Sequence, residues 1–129
     1  MRYHHKLPMG AELDGPRTRF RLWAPSVDQV VLRLGEACDG TPMQATGAGW
    51  FELESDAAPP GTPYQFLLPD GLVVPDPASR AQQDDVHGPS LVVDPAAYQW
   101  TQTHWRGRPW EETVLYELHV GTFSATGDF

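Results

Sequence analysis

Ahead of Pro75, apolar and polar residues alternate in short runs separated by turn residues. In residues 17–24, Thr18, Phe20 and Leu22 share one parity, and Arg17, Arg19 and Arg21 share the other. A period of two places one face of a strand on a core and the other in water. Trp23 falls on the arginine face unless a bulge re-aims it. The same reading predicts strands at residues 10–13, at 28–34 with Val30, Leu32 and Leu34 inward, and at 41–45. Others follow at residues 50–53 with Phe51 and Leu53 inward, at 64–68 with Tyr64, Phe66 and Leu68 inward, and at 72–74. Pro42 cannot donate to a ladder, so residues 41–45 belong at a sheet edge. Asp14-Gly-Pro16, Pro59-Pro-Gly61 and Pro69-Asp-Gly71 are the turns between them.

About seven short strands with regular turn signals, and no helical period among them, predict an all-β fold. The expected architecture is an antiparallel β-sandwich of the immunoglobulin-like type over residues 1–85, followed by a long C-terminal extension. From Pro75 the pattern lapses into a polar stretch. Residues 91–93 are a candidate short strand, and Trp100, Trp105 and Trp110 follow at equal spacing. Loops longer than about 15 residues are uncommon in compact domains, so residues 86–113 read as a tryptophan-rich connector lying across a surface. Residues 114–123 are the most strand-like run of the second half.

Composition and charge narrow the function classes. The chain has 129 residues, 40% hydrophobic and 11% aromatic, enough for one domain with a core. Its net charge of −8 and lack of a Lys/Arg cluster argue against nucleic acid and against an anionic membrane surface as partners. Cys38 is the single cysteine, so no intramolecular disulfide is possible, and His4 and His5 are too few for a tag. No run approaches the roughly 20 apolar residues of a membrane span. With no signal-like leader, the expected setting is soluble, reducing and cytoplasmic. His4, His5, His87, His104 and His119 show no metal-ligand spacing, and no phosphate-binding or dinucleotide motif is present, so neither metal nor cofactor is expected.

Several pieces, in order, resemble the opening of family 13 glycoside hydrolases, the α-amylase superfamily. Phe20-Arg-Leu-Trp-Ala-Pro25 with Val30-Val-Leu32 is similar to the immunoglobulin-like domain (E-set, grouped with family 48 carbohydrate-binding modules) that precedes their barrel. Tyr116-Glu-Leu-His-Val-Gly-Thr-Phe123 resembles the first strand of that (β/α)8 barrel. Pro75-Asp-Pro-Ala-Ser-Arg80, Val86-His-Gly-Pro-Ser-Leu-Val-Val-Asp-Pro95 and Trp105-Arg-Gly-Arg-Pro-Trp-Glu111 are similar to the trehalose-releasing members. Branching and debranching enzymes are the nearest alternative.

The resemblance implies a parent enzyme that cleaves the α-1,4 bond beside a terminal trehalose unit. It also implies that residues 114–129 begin a barrel this chain does not contain. A barrel needs about 250 residues. The family's carboxylates lie on later strands, so no catalytic residue is expected here. Glu117 and His119 share a strand face but read as ordinary barrel-strand residues. Trp50, Trp100 and Trp105 are the candidate sugar-stacking residues, weighed against a role in pinning the connector. The expected partners are the missing barrel and α-glucan. A stand-alone α-glucan-binding module is a second reading. A dimerisation module is a third, because an orphan strand at 114–123 would add to a sheet edge, pair with a second copy or stay unordered.

Overall fold

A computed structural model describes residues 7–36 and 39–128. Cys38, His4 and His5 lie outside the described residues. The chain divides into two compact units, up to Gln99 and from Trp100 onward.

The first unit is an immunoglobulin-like antiparallel sandwich. Its strands are β1 (Gly10–Asp14), β2 (Arg17–Trp23), β3 (Val31–Leu34), β4 (Thr41–Pro42), β5 (Gln44–Gly47), β6 (Trp50–Ser55), β7 (Pro63–Leu67), β8 (Val73–Val74) and β9 (Ser90–Leu91). One sheet has the order β1-β2-β6-β5. The other runs β4-β3-β7-β8, with β9 also paired to β7. The expected alternation in β2 is what forms: Thr18, Phe20 and Leu22 are buried and the arginines face outward. Phe20 meets Tyr64 edge-on at 4.9 Å between ring centres, and Tyr64 meets Phe66 at 5.9 Å. With Val30, Leu32, Met43, Phe51 and Val92 they make the core. Each such side chain contributes about 1.5–3 kcal/mol by leaving water.

Turn chemistry sets the register. Gly15, at φ 61°, precedes Pro16 in the two-residue β1–β2 loop, the φ pattern of a type II′ hairpin. Ala48 (φ 50°) and Gly49 (φ 81°) fill the two-residue β5–β6 loop with positive φ at both positions, as a type I′ turn requires. Gly49 is required twice over, since a Cβ there would sit 2.7 Å from Pro25 Cβ.

Three expectations change. Residues 41–45 are not one strand: β4 pairs with β3 in one sheet and β5 with β6 in the other. Between them Met43 is buried, and its N–H donates to the Val30 carbonyl at 2.9 Å. The chain thus crosses between the edges of the two sheets there, in keeping with the edge position that Pro42 demands. The sandwich extends past residue 85 to Gln99, because β9 returns to β7 and Val92 fills the core. Gly61 N–H donates to the Val92 carbonyl at 2.8 Å, and Val92 N–H donates to the Thr62 carbonyl at 3.0 Å.

The third correction concerns residues 114–123, which form no strand. In the second unit Trp110–Glu112 is a single 3-10 turn and Val120–Phe123 a single helical turn, α1. A strand exists only where a neighbour accepts its backbone donors. Here the Phe123 and Thr122 N–H groups turn back to the His119 carbonyl, each at 3.0 Å.

Candidate functional site

Two polar constellations and one aromatic pair stand out in the first unit. The outer face of the β1-β2-β6-β5 sheet is a grid of opposite charges. The register sets Arg19 against Glu54, Arg21 against Glu52 and Trp23 against Trp50. Side-chain pairs then form at 3.4 Å (Arg17–Glu54), 3.9 Å (Arg19–Glu12) and 3.3 Å (Arg21–Glu52). At the end of the grid lies the aromatic pair. Trp23 is 57% exposed, and its indole N–H donates to the Ala48 carbonyl at 3.1 Å. Trp50 is half-buried, with the Arg21 guanidinium 4.4 Å from its ring centre.

The second constellation fastens residues 75–89 to the sandwich. Tyr64 Oη–H donates to Asp76 Oδ2 at 2.7 Å, Ala78 N–H donates to Asp76 Oδ1 at 2.8 Å, and Asp76 N–H donates to Ser90 Oγ at 2.9 Å. All of Tyr64, Asp76 and Ser90 are buried. Burial pushes the Asp76 carboxyl above its ordinary range, against the opposing pull of the Ala78 and Tyr64 donors. Burial likewise raises the Tyr64 phenol, reinforced by the Asp76 charge. Arg80 Nη2 reaches Glu12 Oε1 at 2.7 Å, where Leu7 N–H also donates at 2.7 Å. Burial alone would raise Glu12. The Leu7 hydrogen bond, the Arg80 hydrogen bond and charge, and the Arg19 charge together hold it below the carboxylate range. Asp76 and Arg80, inside the motif at residues 75–80, are therefore anchoring groups.

The sequence candidates are spread over both units. Trp50 lies on β6 in the first, while Trp100 and Trp105 belong to the second, where both are exposed. His119 is the N-cap of α1, and its Nδ1 lies 3.5 Å from Thr122 Oγ1. No acidic side chain among the described residues pairs with the ring. No group of three or more His, Cys, Asp or Glu among the described residues is arranged to hold a metal. No helix among them is long and apolar enough to cross a membrane. Pro25, Val27, Asp28, Pro69 and Asp70 border an open groove of about 580 Å³. Trp23 was not among the sugar-stacking candidates, although its parity on the arginine face already marked it.

No family model matches the chain. The chain is 41% identical over 117 residues, 89% of its length, to the malto-oligosyltrehalose trehalohydrolase of Deinococcus radiodurans. It is 35% identical over 95% of its length to the enzyme of that name from Saccharolobus solfataricus. The chain is a homologue of the malto-oligosyltrehalose trehalohydrolases. It spans about a fifth of the length of these relatives, 18% and 22% respectively. A crystal structure of a Salmonella typhimurium protein described as an alpha amylase matches it with a TM-score of 0.79 at 52% identity, over 95% of this chain and 21% of that one. The trehalohydrolase likeness takes in both the sandwich and most of the residues beyond it, as the ordered motifs implied.

Proposed function

We propose that this chain is the amino-terminal, non-catalytic part of an enzyme that hydrolyses the α-1,4 bond next to a terminal trehalose unit and releases trehalose. The observation that carries this reading is the 41% identity across 89% of a chain that amounts to 18% of its relative. The work of this part is architectural. The sandwich has a filled core, and residues 114–123 supply the first strand of the barrel once neighbouring strands offer a ladder. Their apolar residues Val114, Leu115, Tyr116 and Phe123, all exposed here, are of the kind a buried barrel strand carries.

Glu117 and His119 are not a catalytic pair in this reading. A retaining glycosidase sets two carboxyl groups about 5–5.5 Å apart, and the residues that would do so belong to later strands. The test is an assay of the 129-residue chain and of the longer gene product on maltotriosyltrehalose. The longer protein is expected to release trehalose and this chain none. Release by this chain alone would overturn the proposal, as would a longer protein that transfers glucan branches and frees no trehalose.

A further inference from the structure

The turn that joins β7 to β8 carries chemistry of its own. The chain has no asparagine but three Asp-Gly pairs, Asp14-Gly15, Asp39-Gly40 and Asp70-Gly71. In such a pair the glycine nitrogen can attack the carboxyl carbon of the aspartate side chain. Glycine has no Cβ to obstruct the approach and reaches most backbone conformations. In a folded protein the reaction is set by how freely that stretch of backbone opens.

The fold treats the three pairs differently. Asp14 belongs to the β1–β2 ladder, opposite Arg17, and Gly15 lies in the two-residue loop that closes it. Gly40 is packed against β3, where an added Cβ would lie 2.6 Å from the Leu32 carbonyl oxygen. Asp70 and Gly71 sit outside any ladder, since β7 ends at Leu67 and β8 starts at Val73. Both are exposed, and nothing lies within 4 Å of the place a Gly71 Cβ would take. One backbone bond holds the Gly71 N–H, donated to the Leu68 carbonyl at 3.0 Å. The strand beyond, β8, is two residues long. Opening such a hairpin end breaks few contacts and costs little. The Asp70 side chain is already folded back on its own backbone, where Oδ1 accepts the Leu72 N–H at 3.0 Å. A carboxyl held against the turn spends its time near the reacting nitrogen, which raises their effective concentration.

We propose that Asp70 is a site of spontaneous isomerisation to isoaspartate, and that the fold shields Asp14 and Asp39 from the same reaction. The Gly71 nitrogen bonds to Asp70 Cγ. The hydroxyl of the protonated carboxyl leaves as water with the nitrogen's proton, and a five-membered succinimide remains. Water then adds back. Opening the ring at Cγ restores aspartate, whereas opening it at the main-chain carbonyl leaves the chain running through the side-chain carbon. No atom is gained or lost overall, and nothing is oxidised or reduced.

The product inserts one methylene into the main chain between Leu68 and Leu72. The Leu68 N–H, which donates to the Leu72 carbonyl at 2.9 Å, then falls out of register with the Phe66–Val74 and Leu67–Val73 pairs. The modification therefore loosens the hairpin that leads into the Asp76 anchor. The chemistry does not depend on what the longer protein catalyses.

The test incubates the whole chain for weeks at neutral pH, half of it native and half in guanidinium chloride. Isoaspartate is assigned in each Asp-Gly peptide by liquid chromatography and electron-transfer fragmentation. In denaturant all three pairs are expected to isomerise. In the native chain Asp70 is expected to stay within about tenfold of its denatured rate, and Asp14 and Asp39 to fall further below theirs than that. Asp70→Glu is expected to abolish the Asp70 signal, because attack would have to close a six-membered ring. An unchanged near-ultraviolet circular dichroism spectrum shows that this variant keeps the fold. Native Asp70 slowed by more than about tenfold overturns the proposal, since the turn would then protect it. So does a native chain in which Asp14 or Asp39 also keeps within that factor.

Discussion

The two units are built from similar material and end differently. The sandwich buries Phe20, Tyr64 and Phe66 almost completely, while in residues 100–129 Trp110 is 76% exposed and Val114 93%. Both contain β-branched and aromatic residues in short runs. In the first unit every such run has a neighbour to pair with: β2 lies between β1 and β6, and β7 between β3 on one side and β8 and β9 on the other. In the second, residues 114–119 pair with no strand among the described residues, and Val120–Phe123 closes on itself in one turn of helix. Strand preference is thus a property of a half-buried surface more than of the residues themselves. Apolar content alone does not order a segment; it needs a second surface.

Paired truncations test that contrast at its widest. Phe20→Ala removes a fully buried ring that packs on Tyr64 and is expected to cost about 3–5 kcal/mol in urea unfolding. Tyr116→Ala removes an exposed ring whose aromatic neighbour is Phe123, at 6.3 Å, and is expected to stay within about 0.5 kcal/mol. Comparable losses at the two positions would erase the distinction between the units.

The next effect lies in the polar anchor. Tyr64→Phe keeps the ring against Phe20 but leaves Asp76 Oδ2 without the donor it now has at 2.7 Å. A buried acceptor stripped of its partner costs about 1–3 kcal/mol. The loss is expected to release residues 75–89 first, because Asp76 ties that loop to β7 and β9. Amide exchange at Ala78 and Ser79 should quicken more than at Phe66. Uniform quickening across the sandwich would mean that the loop and the core open as one.

How far the sequence foretold this depends on whether the signal is local. The alternation in residues 17–23 and the turns at Asp14-Gly-Pro16 and Pro69-Asp-Gly71 were readable because neighbours in the chain decide them. The ordered motifs also pointed to the trehalohydrolases that the chain resembles at 35–41% identity. Met43 was not readable as a sheet switch, since a period of two assigns a side chain to a face without naming the sheet. Residues 86–99 gave no period at all, and their place in the sandwich comes from β7, Val92 and the Asp76 cluster, which are distant in sequence. Residues 114–123 carry the strand pattern without the ladder. Trp50 was legible as a stacking candidate from its residue type. Trp23 was legible by parity, but its tie to Ala48 depends on a hairpin whose φ values the sequence does not display.

The two anchoring carboxylates give opposite pH signatures. Glu12 is held low in the folded state, so its stabilisation is present above the ordinary glutamate range and fades as pH falls through its lowered pKa. Asp76 is held high. Its favourable share is complete below the ordinary aspartate range and is lost as pH rises through its raised pKa. Glu12→Gln is expected to cost about 1–2 kcal/mol at neutral pH, discounted because Arg80 and Arg19 are partly in water, and to flatten the acid limb of the unfolding curve. Asp76→Asn should remove the loss of stability that sets in as pH rises from the ordinary aspartate range through the raised Asp76 pKa. Urea midpoints at several pH values separate the two, and an acid limb unchanged in Glu12→Gln would remove Glu12 from the anchor.

The smallest effect lies in the strain that only the first unit can hold. Ala48 sits at φ 50°, a region that costs an ordinary L-residue about 1–2 kcal/mol. It persists because the β5–β6 ladder, the Ala24–Gly49 bond and the Trp23 indole fix the hairpin around it. Asparagine tolerates this backbone and keeps the carbonyl that Trp23 uses. Ala48→Asn is therefore expected to raise stability by about 0.5–1 kcal/mol, read as a higher urea midpoint at unchanged slope. No gain would mean that the ladder imposes no strain at Ala48 that a more tolerant residue could relieve.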